Sequence, residues 1–194
     1  MAVNDTNAKI TSSEIVQLVE QFRTTVNRLE LLNDCDVTEI SFAYDSNSDT
    51  TVDATDDYWN ASAPDECYVF GVDAGGITFP ILPENVNDGS DVIFTAANFV
   101  VDLGSDAGDL LLVIPKVNLK VCDALNEKLG APTTGGAPRE EGSNFSVNQF
   151  TGSLPGSVGL SNMDGAMQGC FNATQVGGAA VGDEYYFYSV LIAR

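Results

Sequence analysis

The stretch Asp45-Ser46-Asn47-Ser48-Asp49-Thr50-Thr51-Val52-Asp53-Ala54-Thr55-Asp56 has the residue types and spacing of a twelve-residue calcium loop. Asp45, Asn47, Asp49, Thr51, Asp53 and Asp56 place side-chain oxygens at the first, third, fifth, seventh, ninth and twelfth positions, and Val52 takes the usually apolar eighth. A hard cation such as calcium collects oxygens in this way. Two features depart from the pattern. Thr50 stands where a glycine normally makes the sharp turn, and Asp56 is shorter than the usual bidentate glutamate. No helical pattern flanks the loop on both sides, so this would be a calcium loop outside an EF-hand; a flexible acidic hairpin tip is the other reading.

Four cysteines, Cys35, Cys67, Cys122 and Cys170, contain no C-x-x-C pair, which disfavours a structural zinc site. An even number, wide spacing and a lysine-poor acidic chain suit an oxidising compartment, hence an extracellular, cell-surface or periplasmic protein. Three pairings are open. Cys35 with Cys67 and Cys122 with Cys170 is favoured, since each then staples a long turn-rich stretch, worth roughly 3 to 4 kcal/mol by chain entropy.

Other chemistries are largely excluded. The 194 residues carry 28 acidic and 8 basic side chains, a formal charge of −20 and no histidine. Nucleic acid and anionic membrane surfaces bind through clustered lysine and arginine, so neither is an expected partner. Without histidine there is no triad or neutral-pH imidazole shuttle. Phosphate-cradling G-x-x-x-x-G-K and nucleophile-elbow G-x-S-x-G patterns are absent. The adjacent acids Asp56 and Asp57, or Glu140 and Glu141, make poor acid and base pairs, because neighbours on an exposed chain rarely converge on one substrate. The chain reads as non-enzymatic. Asn-x-Ser/Thr patterns at Asn4, Asn60, Asn144 and Asn172 are too short to carry weight.

The elements that must position these residues follow from periodicity. A hydrophobic content of 44% is enough for a core, so the charge does not signal disorder. Thr11-Ser12-Ser13-Glu14 has the form of a capping box, and Ile15, Leu18, Val19, Phe22, Val26 and Leu29 recur on one helical face. An amphipathic helix is predicted over 12–32, after a flexible start at 1–10. Strands are predicted at 40–44, 67–72, 77–82, 92–101 and 110–114, joined by turns short enough to imply mainly antiparallel pairing. Leu119, Cys122, Leu125 and Leu129 mark a second, shorter helix between an Asn118 N-cap and Gly130. Residues 130–182 hold 12 of the 18 glycines and read as a long looped region. The closing run from Tyr185 to Ile192 is apolar on both faces and belongs inside a sheet.

One α+β domain over 1–194 results, a long N-terminal helix packed on a mainly antiparallel sheet. The start, Met1 to Asn7, lacks the pattern of a signal peptide, and no run approaches the ~18 apolar residues of a membrane span. Between Leu29 and Pro115 lie 18 acidic residues and no basic one. That half must be solvated, neutralised by cations or faced with a basic partner.

Cys67-Tyr68-Val69-Phe70, Gly75-Gly76-Ile77, Ile114-Pro115-Lys116-Val117, Val121-Cys122-Asp123-Ala124-Leu125-Asn126, Gly169-Cys170-Phe171 and the closing Tyr185 to Arg194 together resemble the soluble part of type IV pilin-like and pseudopilin-like bacterial proteins. The resemblance implies a helix on an antiparallel sheet, a disulfide-bounded variable region near the C-terminus, and assembly with other pilin or pseudopilin subunits through an apolar N-terminal segment. That segment and its leader are missing from this sequence. The expected function is therefore a surface subunit of a type IV pilus or type II secretion pseudopilus, acting through protein contacts. A calcium-dependent adhesion module and a carboxylate glycosidase are the alternatives.

Overall fold

A computed structural model describes residues 4–83, 85–155 and 158–194. The chain is α+β. Helix α1 spans Asp5–Leu32 and α2 spans Leu119–Leu129. The strands are β1 (Ile93–Thr95), β2 (Asn98–Val100), β3 (Leu110–Ile114), β4 (Thr133–Thr134), β5 (Ala137–Phe145), β6 (Val158–Leu160), β7 (Gln168–Val176) and β8 (Ala179–Ile192).

Helix α1 starts almost two turns earlier than expected. Asn4, in extended backbone, accepts the Asn7 amide at 2.8 Å and caps the helix. The Thr11–Glu14 box therefore lies inside the helix, and 5–10 is helical. The hydroxyls of Ser12 and Ser13 donate back to the Lys9 carbonyl, both at 2.9 Å, and the Thr11 oxygen accepts from the Asn85 amide at 2.8 Å. A run of hydroxyl residues that mimics a cap is instead used for back-bonding and a tertiary tie. The predicted stripe holds where it matters: Ile15, Val19, Phe22, Val26 and Leu29 are buried. Helix α2 has the expected ends, with Asn118 accepting the Lys120 amide and Gly130 left-handed at φ 65°.

The main sheet runs β1-β3-β8-β7-β5-β4, antiparallel except for the parallel pair β5 and β7. β2 and β6 form a separate parallel pair. Alternation along β3 sends Leu110, Leu112 and Ile114 into the core beneath α1 and α2, and Leu111 and Val113 into a second core with Phe171, Tyr188 and Leu160. The Tyr186–Leu191 stretch of β8, which lies between β3 and β7, is covered on both faces, as its sequence demanded. The disulfides join Cys35 to Cys67 and Cys122 to Cys170, the latter pinning α2 to β7.

Three expectations fail. Residues 40–44, 67–72 and 77–82 form no strands beyond one bridge between Ser41 and Tyr68. Their apolar side chains instead build an aromatic cluster, in which Phe42 stacks on Phe94 at 4.0 Å and Tyr44 on Phe79 at 4.1 Å. The run 92–101 splits into β1 and β2, which join different sheets. The glycine-rich region 130–182 is not a loop: β4 to β7 lie within it. Glycine is needed at some of these places for close approach. A Cβ on Gly169 in β7 would sit 2.4 Å from the Met163 methyl.

Candidate functional site

Asp45 to Asp56 form a compact loop whose carboxylates serve its own backbone. Asp45 accepts the Asp49 amide at 3.0 Å and the Thr50 amide at 3.1 Å, and Asn47 also accepts the Asp49 amide at 2.9 Å. Asp49 accepts the Thr51 amide at 3.0 Å and its hydroxyl at 2.6 Å. Asp53 accepts the Thr55 amide and hydroxyl, each at 2.8 Å. Asp56 closes the loop, one oxygen accepting the Ser46 amide at 2.8 Å and hydroxyl at 2.9 Å, the other the Asp53 amide at 3.0 Å. For Asp49 and Asp56 these bonds favour the charged form. The Asp53 amide, followed by the Ser46 and Asn47 donors, holds Asp56 below the usual carboxylate range, and Thr51 does the same for Asp49.

All six candidate calcium residues thus share one loop. Thr50, at φ 77°, takes the left-handed backbone that a glycine would supply. Among the described residues no three Asp, Glu, Cys or His side chains group closely enough to hold a metal ion.

The loop leads directly into a cleft of about 330 Å³ lined by Tyr44, Asp57, Tyr58, Asp91, Lys116, Gln149 and Tyr186, among others. Tyr58 has φ 60°, costly for a bulky side chain. The residue is fixed at both ends, its hydroxyl donating to the Val92 carbonyl and its amide to the Gln149 side chain, each at 3.3 Å. Gln149 in turn donates to Asp57 at 3.0 Å, setting that carboxylate at the rim. Lys116, also left-handed at φ 52°, pairs with Asp88 at 3.2 Å. Asp57 and Asp91, both exposed, have no cationic partner among the described residues. Burial raises the Tyr44 phenol, and the fields of Asp57, Asp91 and Asp56 push it further up, so three carboxylates act on one hydroxyl.

A larger polar cleft, about 590 Å³, lies by β4 and β5 with Arg139, Asn172, Asp183 and Tyr185 in its wall. Arg139 is already paired with Asp164 at 3.1 Å. Asn172 and Asn60 are buried, 8% and 2% exposed, and the Asn60 amide donates to the Thr38 and Ile40 carbonyls, so both patterns sit in the folded interior. The side chains of Glu140 and Glu141 lie outside the described residues.

Comparison of this chain with known families, with curated proteins and with solved structures found no match.

Sequence reasoning singled out the acidic loop and missed the cleft beside it. Its residues come from seven separate stretches, so no spacing marks them. The signal that was present is the Asp57-Tyr58 step, an acid followed by an aromatic directly after the loop.

Proposed function

We propose that this chain is a non-catalytic surface subunit of a type IV pilus or pseudopilus kind of assembly, working by contact with other proteins. The observation that carries the reading is α1. Its 28 residues, roughly 42 Å of helix, lie on the sheet through one buried stripe while Ile10, Leu31 and Leu32 stay 55%, 82% and 76% exposed. Apolar side chains left in water on a firmly docked helix suit a surface that another subunit covers. The Cys122–Cys170 link supports the same reading, since it bounds a C-terminal region in the manner the resemblance implies. Two disulfides fit an oxidising, extracellular setting, and no described helix is long and apolar enough to cross a membrane.

The test places a photo-reactive amino acid at Ile10 or Leu31 in the protein expressed from its own gene in its own cell. Irradiation should yield a ladder of cross-linked subunits. Monomer alone from both positions, with no partner recovered, ends the reading.

A calcium-dependent adhesion module is a second reading, favoured by the left-handed Thr50 and by Asp45 accepting two consecutive amides, at Asp49 and Thr50. On that reading millimolar calcium raises the melting temperature and protects the loop from proteolysis; no change in either removes it.

A further inference from the structure

The cleft beside the acidic loop has a chemistry more specific than protein contact in general. Its wall is aromatic, with Tyr44 stacked on Phe79, and its rim carries Asp57 and Asp91. The one cation lining it among the described residues, Lys116, is held by Asp88 at 3.2 Å. An aromatic wall with unneutralised carboxylates suits an organic cation, whose flat or aliphatic part lies along the rings while its charge meets the acids. A divalent ion does not suit it, since such an ion takes six or more oxygens and no three acids group here among the described residues. A second copy of the chain is a poor source of that cation, because it carries only 8 basic side chains against 28 acidic ones.

We propose that this cleft receives an arginine side chain from a basic partner protein, the guanidinium lying beside the Tyr44 ring and pairing with Asp57 and Asp91. Arginine suits the site better than lysine because its planar head both stacks and forks onto carboxylates. Charge complementarity identifies the partner. Of the acids between Leu29 and Pro115, Asp88 alone is in an ion pair among the described residues. The left-handed Tyr58 follows the same logic, for its fixed turn is what carries Asp57 to the rim, braced by Gln149. This inference rests on the reading of the chain as a contact protein, but its probe is a small molecule and does not depend on fibre formation.

The experiment titrates the intact protein with N-acetyl-arginine amide and follows the Gln149 side-chain amide and the Tyr44 ring by NMR. Saturable shifts should appear, and the neutral isostere N-acetyl-citrulline amide should produce none. Asp57→Asn with Asp91→Asn should weaken binding at least tenfold, as should Tyr44→Ala. Asp102→Asn with Asp106→Asn removes the same charge away from the cleft and should leave binding within twofold. Should the double cleft variant not fold, Asp91→Asn alone should still weaken binding severalfold, since among the described residues the exposed Asp91 carboxylate is in no ion pair that the fold would lose. The proposal is overturned by an absence of saturable shifts, by citrulline binding as well as arginine, or by the control pair weakening binding as much as the cleft pair.

Discussion

Residues 33–92 and residues 93–192 are folded by different means. The second stretch is laddered: β3, β7 and β8 pair over long registers, and side chains on both faces enter one of two cores. The first, among its described residues, has a single bridge and two short turns of 3-10 helix. It is held by an aromatic cluster, the Cys35–Cys67 link, carboxylates that accept loop amides, and Arg28, which donates to the Ala74 and Gly75 carbonyls at 2.7 and 2.6 Å. Gly75 is needed there, since a Cβ would fall 1.9 Å from the Val69 carbonyl oxygen. A backbone without ladders must spend side chains on satisfying its amides. The acidity of this segment is thus partly structural, and Asp57 and Asp91, whose carboxylates accept none of these loop amides, are the acids that the proposed arginine would meet.

The comparison breaks most directly at Phe42, which is fully buried and joins the segment to the sheet through Phe94, with Phe70 and Phe150 edge-on at 6.4 and 6.2 Å. Phe42→Ala should cost about 3–5 kcal/mol, read from the urea midpoint. A loss under about 1 kcal/mol would mean that the segment folds separately from the sheet.

The disulfides sharpen it. With separations of 32 and 48 residues, each should be worth roughly 3.5–4 kcal/mol by chain entropy. Their loss should nevertheless look different in hydrogen exchange. Cys35→Ser with Cys67→Ser should release the Ser41 and Val69 amides, whose bonds to the Cys67 and Ser41 carbonyls have little other support, while β8 stays protected. Cys122→Ser with Cys170→Ser should lower protection across the sheet. Uniform loss in both variants would erase the distinction.

A smaller effect is expected at Asn126, 1% exposed on α2, whose side chain both donates to the Cys170 carbonyl and accepts the Cys170 amide, each at 2.8 Å. It completes an edge of β7 as a strand would. Asn126→Ala leaves two buried backbone groups unpaired and should cost about 2–3 kcal/mol by urea unfolding, with 33–92 unaffected.

What could be read from the sequence divides along the same line. Helix α2, β3 and β8 were legible because their caps, proline stop and two-faced apolarity are local signals. The alternation at Ile40, Phe42 and Tyr44 suggested a strand, yet period two also arises when aromatic side chains enter a cluster without pairing of their backbone. β7 was hidden by glycine-rich composition, because its register with β8 is a long-range property. The acidic loop was visible by spacing, but the role of its acids as amide acceptors was not, since Asp56 caps Ser46 ten residues away.

Acid should separate the two regions by sign. In 33–92 every resolved carboxylate shift is downward: Asp36 through the Thr38 amide, Asp49 through Thr51, Asp56 through the Asp53 amide and Asp88 through the Ser90 hydroxyl. Asp5, drawn down by Lys120 at the tip of α1, is the only such case elsewhere among the described residues. In the sheet region Asp109, which accepts the Val100 and Arg194 amides at 2.8 and 2.9 Å, is pushed up by burial, as is Asp123. A lowered acid stabilises the native state above its ordinary value near 3.8, and that contribution is lost as pH falls through the lower, folded value. A raised acid does the reverse, so protonating Asp109 as pH drops toward 3.8 relieves the fold. Between pH 6 and 4 the segment should therefore hold while the sheet is unchanged or slightly firmer. Below about 3.8 the Ser46, Asn47 and Asp53 amides should lose exchange protection before those of β8. Asp56→Asn should bring the same loosening at neutral pH and flatten the acid response of those amides. Simultaneous loss in both regions would show that the carboxylate caps do not hold the segment in place.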